Sequence, residues 1–272
     1  MSAALTVPTT YSSTAPVWRR HVELVRLSAV RQLRARYRGS AFGVLWSFAN
    51  PLLTTAIYTA IFGSAFARYY GGSTSRYVVS AFVGVAVVTY FLQATGEALV
   101  AVVGNGGLLN KIAIDPETFP AAAIAANTFQ QALTVFPVLI LISAFATHDP
   151  LRVVLVPFVI AAIVLMTLGI SVTLSVLYVF FRDLAYLWGI IGFVLWLSSP
   201  VFYPPELVPA AVRTFLGVNP VGMAIGALRE VTINRGPVAF GTIGWFFVAS
   251  VLVACAGHVL FRRLRPEFMD LL

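Results

Sequence analysis

The sequence predicts an all-α integral membrane protein. It reads as six transmembrane helices, an N-terminal amphipathic helix in the membrane interface, and short re-entrant helices between the fifth and sixth spans. Three observations predict this. Hydrophobic residues make up 59% of the 272 residues and charged residues only 10%, against about 25% charged in a soluble domain. Six windows run for twenty residues or more without a charged side chain. A dense run of arginines, Arg31, Arg34, Arg36 and Arg38, stops abruptly before the first of these windows, as positive charge does at the cytoplasmic boundary of a membrane.

The elements follow in order. Residues 1–17 carry Pro8 and Pro16 and lack a basic stretch followed by an apolar one, so they do not form a secretory signal and are expected as a disordered cytoplasmic tail. Residues 18–38 are too polar to span. Trp18, Val22, Val25, Ala29, Leu33 and Tyr37 recur at three or four while arginines fill the other faces, the pattern of a helix lying flat among headgroups. Gly39-Ser40 then offers a bend into the first span.

The uncharged windows are Ala41–Ala67, Tyr77–Gly96, Thr118–Thr147, Val153–Phe181, Leu184–Pro205 and Gly236–Phe261. At about 1.5 Å per residue each reaches across roughly 30 Å of hydrocarbon, and helix is the structure that satisfies a backbone in lipid. A transmembrane domain is therefore expected over 41–261, with 262–272 as a second cytoplasmic tail. Arginine and lysine counting sets the orientation. With the N-terminus inside, twelve basic residues fall on the cytoplasmic side and six (Arg68, Arg76, Arg152, Arg213, Arg229 and Arg235) on the other, which favours both termini inside.

Two connections are irregular. In the stretch expected at about 104–117, Asn105, Gly106 and Gly107 end the second span. Leu108, Leu109, Ile112 and Ile114 then form a short apolar element facing the cytosol, stopped by Asp115-Pro116; exposed apolar side chains there suit a protein contact. At about 204–232, Pro204, Pro205, Pro209 and Pro220 accumulate, and the uncharged part between Arg213 and Arg229 is too short to cross. Two short helices dipping into the outer leaflet fit this stretch. Such backbone is tolerated at membrane depth where it is buried in protein or lines a cavity, so the segment caps a pathway.

Catalytic chemistry finds little footing. Lys111 is the only lysine and sits in Leu109-Asn110-Lys111-Ile112, which is not a phosphate loop. Cys255 is alone, and His21, His148 and His258 are far apart, so no metal or catalytic residues are assigned. The net charge of +8 sits at segment ends, where it meets headgroups rather than nucleic acid. Glu97 is the one ionisable candidate within a span, and it counts to the cytoplasmic surface. With no internal repeat, ion-coupled transport has little support. Aromatic residues are plentiful instead: Tyr58, Phe62 and Phe66 on the first span, Phe193, Trp196, Phe202 and Tyr203 on the fifth. They serve as interface anchors and packing, or as rings on which the C–H faces of sugars stack.

These residues together carry a resemblance. Arg36-Tyr37-Arg38-Gly39-Ser40 leads through Gly43-Val44-Leu45-Trp46 to Asn50-Pro51-Leu52. Asn105-Gly106-Gly107-Leu108-Leu109 with Lys111-Ile112, Arg182-Asp183, Ser199-Pro200-Val201-Phe202-Tyr203-Pro204 and Asn219-Pro220 follow in order. From Trp18 onward the chain resembles the membrane permease subunits of ABC transporters that export lipid-linked polysaccharides, such as O-antigen, teichoic-acid and galactan exporters. The resemblance implies a six-span half-transporter in a bacterial inner membrane, paired with a second copy of itself. It also implies two copies of a separate ATPase that binds ATP and Mg, with no cofactor on this chain.

It implies further that Gly106, Leu108, Leu109, Lys111, Ile112 and Asp115 form the helix that seats in the ATPase. By the same resemblance 204–232 supplies gate helices, and Tyr58, Phe62, Phe66, Phe193, Trp196, Phe202 and Tyr203 border the polymer path. Arg34, Arg36 and Arg38 would then hold the phosphates of the lipid carrier. A permease for a drug or small lipid, or a membrane enzyme acting on lipid-linked sugars, fits the residues less well. The former would not call for the Pro-rich segment and the interface helix, and the latter needs an acidic or histidine site that is sparse here.

Overall fold

The computed structural model describes residues 17–40, 42–109, 114–208 and 218–269. The expected tail up to residue 16, Lys111 and Ile112, part of the expected gate segment, and residues 270–272 lie outside the described residues. Helix is the only regular secondary structure among the described residues. The main elements are α1 (Val17–Arg36), α2 (Trp46–Phe66), α3 (Thr74–Leu99), α4 (Thr118–Leu133) and α5 (Val135–Thr147). They continue with α6 (Pro150–Phe180), α7 (Leu184–Ser198), α8 (Pro220–Thr232) and α9 (Phe240–Met269).

Four helical stretches are long and apolar enough to cross a membrane: Gly43–Tyr70 containing α2, then α3, α6 and α9. Helices α4 and α5 add a fifth if taken together across their 47° bend. The six expected windows thus become four or five by helix length, for two local reasons. Pro137 lacks an N–H, and its ring crowds the carbonyl four residues back, which is Leu133, where α4 ends. Pro200 disfavours helical backbone at Ser199, which is extended at ψ 144 and closes α7 after 15 residues. Helix α7 alone is therefore about 22 Å long.

Helix starts follow their capping residues. Asp149 accepts from Leu151 N at 3.0 Å, with Pro150 in the first turn of α6. The Asn219 side chain accepts from Val221 N at 2.9 Å and Gly222 N at 3.2 Å at the start of α8. Each satisfies donors that a helix start leaves orphaned.

Helix α3 is the centre of the bundle. The most apolar window of α3 is 72% buried, against 11% for the stretch holding α2. The core joins α3 (Phe82, Phe91) to α6 (Val159, Met166) and α8 (Ile225, Leu228). A smaller cluster at the other end of α6 gathers Val102, Leu109, Phe119, Val176 and Phe261.

Lipid offers helices no hydrophobic drive to associate, so close approach through small residues carries the packing. Helices α6 and α9 meet backbone to backbone. A Cβ on Gly169 would lie 2.5 Å from the Val253 carbonyl oxygen, and one on Gly257 would collide with the Gly169 carbonyl. Gly84 of α3 likewise admits the chain after α7, because a Cβ there would lie 2.8 Å from the Val201 carbonyl oxygen.

Helix α1 packs along α4. His21 Nδ1 lies 3.4 Å from Thr118 Oγ1 near its start, and Arg36 donates to Gln130 Oε1 at 2.6 Å at its end. This turns Ala29 inward and leaves Val22 57% exposed. Of the described members of the expected apolar stripe, Val25, Ala29, Leu33 and Tyr37 thus lie on the buried or half-buried face, and Val22 is turned out beside His21. Arg265 of α9 pairs with Asp115 at 3.0 Å, so both described ends of the chain lie at one end of the bundle.

The glycine crossing gives a direct test. Gly169→Val should destabilise the protein by at least about 1–3 kcal/mol, the usual cost of overpacking, measured as a lowered unfolding midpoint in detergent. Gly96→Ala, where nothing lies within 4 Å, should leave the midpoint nearly unchanged. Equal midpoints for both variants would refute the close crossing.

Candidate functional site: an aromatic ladder between two polar clamps

Tyr58, Phe62 and Phe66 recur every four residues and so share one face of α2. The structure extends that stripe into a ladder of rings. Tyr58 stacks on Phe202 at 3.4 Å between centroids and 6° between planes. Tyr58–Phe62 and Phe62–Phe66 follow at 5.9 and 5.6 Å, and Phe66 continues to Tyr77 of α3 at 5.9 Å. Trp196 of α7 meets Phe202 at 6.0 Å. Five of the seven aromatics expected beside the path are thus brought into contact. Phe193 stands apart at 67% exposed. Tyr203 donates to the Ser198 carbonyl at 2.6 Å, which folds the chain back over the end of α7. Tyr70 and Tyr77 lengthen the ladder at 5.8 Å from each other. Sequence reading missed them because no helical repeat links a turn residue to the next span.

The ladder lies on otherwise bare helices. Leu53, Ile57 and Ile61 of α2 are 58–62% exposed, and Ile190 and Leu197 of α7 are more than 60% exposed. Two apolar helices thus present wide faces, with half-buried rings between them.

One polar clamp lies at the end of the bundle that holds the first and last described residues. Arg36 pairs with Glu97 and donates to Asn127 Oδ1 at 3.2 Å as well as to Gln130. Asn127 Nδ2 donates back to Glu97 at 2.8 Å, and Gln93 adds a 3.3 Å bond to the same carboxylate. Charge-assisted bonds of this kind are the stronger ones, and here they join the end of α1 to α3 and α4. Beside them, burial pushes the Tyr37 hydroxyl above its ordinary value, opposed by the Arg36 charge. Of the three arginines expected at lipid phosphates, Arg36 is committed to this clamp while Arg34 and Arg38 are exposed.

The expected ATPase contact lies nearby. Gly106 and Leu109 are buried, and Leu108 packs against the same small cluster, so the two leucines face inward. Asp115 pairs with Arg265, and Glu117 accepts from His258 Nδ1 at 2.7 Å when that nitrogen carries the proton. The end of α9 therefore braces this connection.

The second clamp closes the far end. Arg152, 1% exposed, donates to the backbone carbonyls of Glu230 and Gly236. The Asp149 and Glu230 carboxylates lie 3.4 and 3.7 Å away. Glu230 also accepts from Ala239 N at 3.0 Å and from the Asn234 amide. The starts of α6 and α9 and the end of α8 are thereby fixed together. Arg229 adds a tie, donating to the Ser80 carbonyl at 3.0 Å and the Val201 carbonyl at 3.0 Å. Arg152 borders an uncharged window and Arg229 borders the short uncharged part of the 204–232 stretch, where they read only as topology markers.

The Arg36–Glu97 clamp predicts thermodynamic coupling. Arg36→Gln and Glu97→Gln should each lower the unfolding midpoint, and the double variant should lose less than their sum. A coupling energy of roughly 0.5–3 kcal/mol is expected for residues in one network; strict additivity would show that the pair is not formed.

Comparison with known proteins agrees with this architecture. Residues 23–233 match the membrane family described as ABC-2 type transporter. The chain is 23% identical over 243 residues to the O-antigen export system permease protein RfbA of Klebsiella pneumoniae, covering 89% of this chain and 92% of that protein. It is 26% identical over 243 residues to the protein of the same name from Myxococcus xanthus, covering 88% and 92%.

Proposed function

Because the chain belongs to the ABC-2 type transporter membrane family, we propose that it is the transmembrane subunit of an ATP-driven polysaccharide exporter. It moves a lipid-linked glycan from the cytoplasmic to the outer side of a bacterial inner membrane. The relatives named for O-antigen export support the substrate class. The observation that carries the reading is the ladder from Trp196 through Phe202, Tyr58 and Phe62 to Phe66. Aromatic rings offer broad apolar faces. A sugar polymer can slide along such faces, because stacking on C–H surfaces does not lock it in one register.

Parity supports six crossings. Both described ends lie at one end of the bundle, so the number of crossings is even. Helices α2, α3, α4 with α5, α6 and α9 make five, and α7 with the turn that folds over its end is the sixth. The excess of basic residues at that end makes it cytoplasmic. The bare faces of α2 and α7 are covered by a second copy of the chain, with the polymer path between the two. The region 104–117 seats in a separate ATPase subunit, where ATP and Mg bind; this chain catalyses no reaction. Arg34 and Arg38, exposed beside the Arg36 clamp, meet the phosphates of the lipid carrier.

Reconstitution with the cognate ATPase in proteoliposomes tests the reading. Lipid-linked glycans should stimulate ATP hydrolysis more than the bare lipid carrier does. Tyr58→Ala with Phe202→Ala should cut export by about tenfold, equivalent to about 1.4 kcal/mol at the limiting step. Arg34→Gln with Arg38→Gln should raise the substrate concentration needed for half-maximal stimulation. Wild-type export in the aromatic variant would sink the polymer path, and failure to co-purify with any ATPase would sink the exporter.

A further inference from the structure

The far end of the bundle carries a cavity of about 350 Å³ whose walls include Ser73, Ser75, Arg76 and Arg235, with Val79 and Ile233 among its apolar part. It opens where the start of α3, the end of α5 and the turn after α8 converge, at the membrane boundary. Arg235 is held in place by its Nε bond to the Ala146 carbonyl at 3.0 Å. The Ser73 and Ser75 hydroxyls are 2.9 Å apart on the same wall.

Among the described residues no carboxylate lies within 4 Å of Arg76 or Arg235. The acids of the neighbouring clamp, Asp149 and Glu230, are turned to Arg152, Asn234 and the Ala239 N–H. The far-end clamp thus takes up the local negative charge and leaves two guanidinium groups at one cavity. Guanidinium is matched in geometry to phosphate oxygens, and basic pockets between helix ends take lipid headgroups. The apolar part suits the glycerol and upper acyl chain of a lipid, not a hydrated ion.

We propose that this cavity is a binding site for the phosphate headgroup of an anionic membrane phospholipid in the leaflet at the far end. The two arginines hold the phosphate, and the serine hydroxyls hold the headgroup alcohol. The site is separate from the aromatic ladder and does not depend on what the protein transports.

The full-length chain, purified and placed in nanodiscs or mixed micelles, provides the test with phosphatidylglycerol, phosphatidylcholine and inorganic phosphate as probes. Phosphatidylglycerol should raise the unfolding midpoint above that in phosphatidylcholine and remain bound in native mass spectrometry. Arg76→Gln with Arg235→Gln should weaken its retention roughly 30-fold, about what two interfacial arginines contribute, while melting normally in phosphatidylcholine. Arg76→Lys with Arg235→Lys should keep most of the preference. No preference for phosphatidylglycerol in the wild type, or an undiminished one in the Gln variant, would overturn the site. A shift reproduced by inorganic phosphate alone would assign the cavity to a free anion and overturn the lipid.

Discussion

Contact between the backbones of α6 and α9 is the constraint on which the rest of the bundle depends. In hydrocarbon, apolar side chains gain nothing by leaving lipid for one another, so helices associate where their backbones can approach. Gly169 and Gly257 provide that approach. Once α6 is fixed against α9, its other faces are free to receive α3, α5 and α8. Helix α3 becomes the buried axle of the molecule because it meets α6, α8, α4 and α2 at once. Helices α2 and α7, which lack that support, carry their apolar surface outward.

The polar groups complement this by acting at the ends. Arg36–Glu97 and Arg152–Glu230 are both ionic, yet their environments differ. Arg152 is almost wholly buried and addresses two backbone carbonyls as well as two acids. Removing either partner would leave an uncompensated charge in a low-dielectric setting, the condition under which breaking an ion pair is most damaging. Glu97 keeps about a third of its side chain accessible, so solvent screens it in part. One clamp is a permanent rivet; the other holds α1 to the bundle more loosely, beside the connection that faces the ATPase in the proposed exporter.

Much of this was legible in the chain itself. Uncharged windows located α2, α3, α6 and α9, because lipid imposes a composition that no soluble helix needs. Arg31–Pro51 marked the passage from α1 to the first span, and Asn219-Pro220 marked a break that turns out to be a helix cap. What escaped were features made by tertiary contact. The outward turn of Val22 accompanies His21 finding a partner on α4, which no stripe of apolar residues encodes. Leu109 reads as part of a short exposed apolar element but is covered by Phe119, Val176 and Phe261 from other parts of the chain. Tyr77 joins the aromatic ladder from another helix, so spacing along α2 could not include it.

The hydrogen bond between the Asn219 amide and the Ser199 hydroxyl, at 2.9 Å, has a consequence for length variation in this fold. Ser199 ends α7 and Asn219 caps α8, so this bond ties the end of one helix to the start of the other across twenty residues of sequence. Lengthening a flexible connection between two tied points costs little, about 0.6 kcal/mol per doubling, and leaves the registers of α7 and α8 in place. The proline-rich stretch between them is therefore where proteins of this architecture can diverge in size while keeping their spans intact.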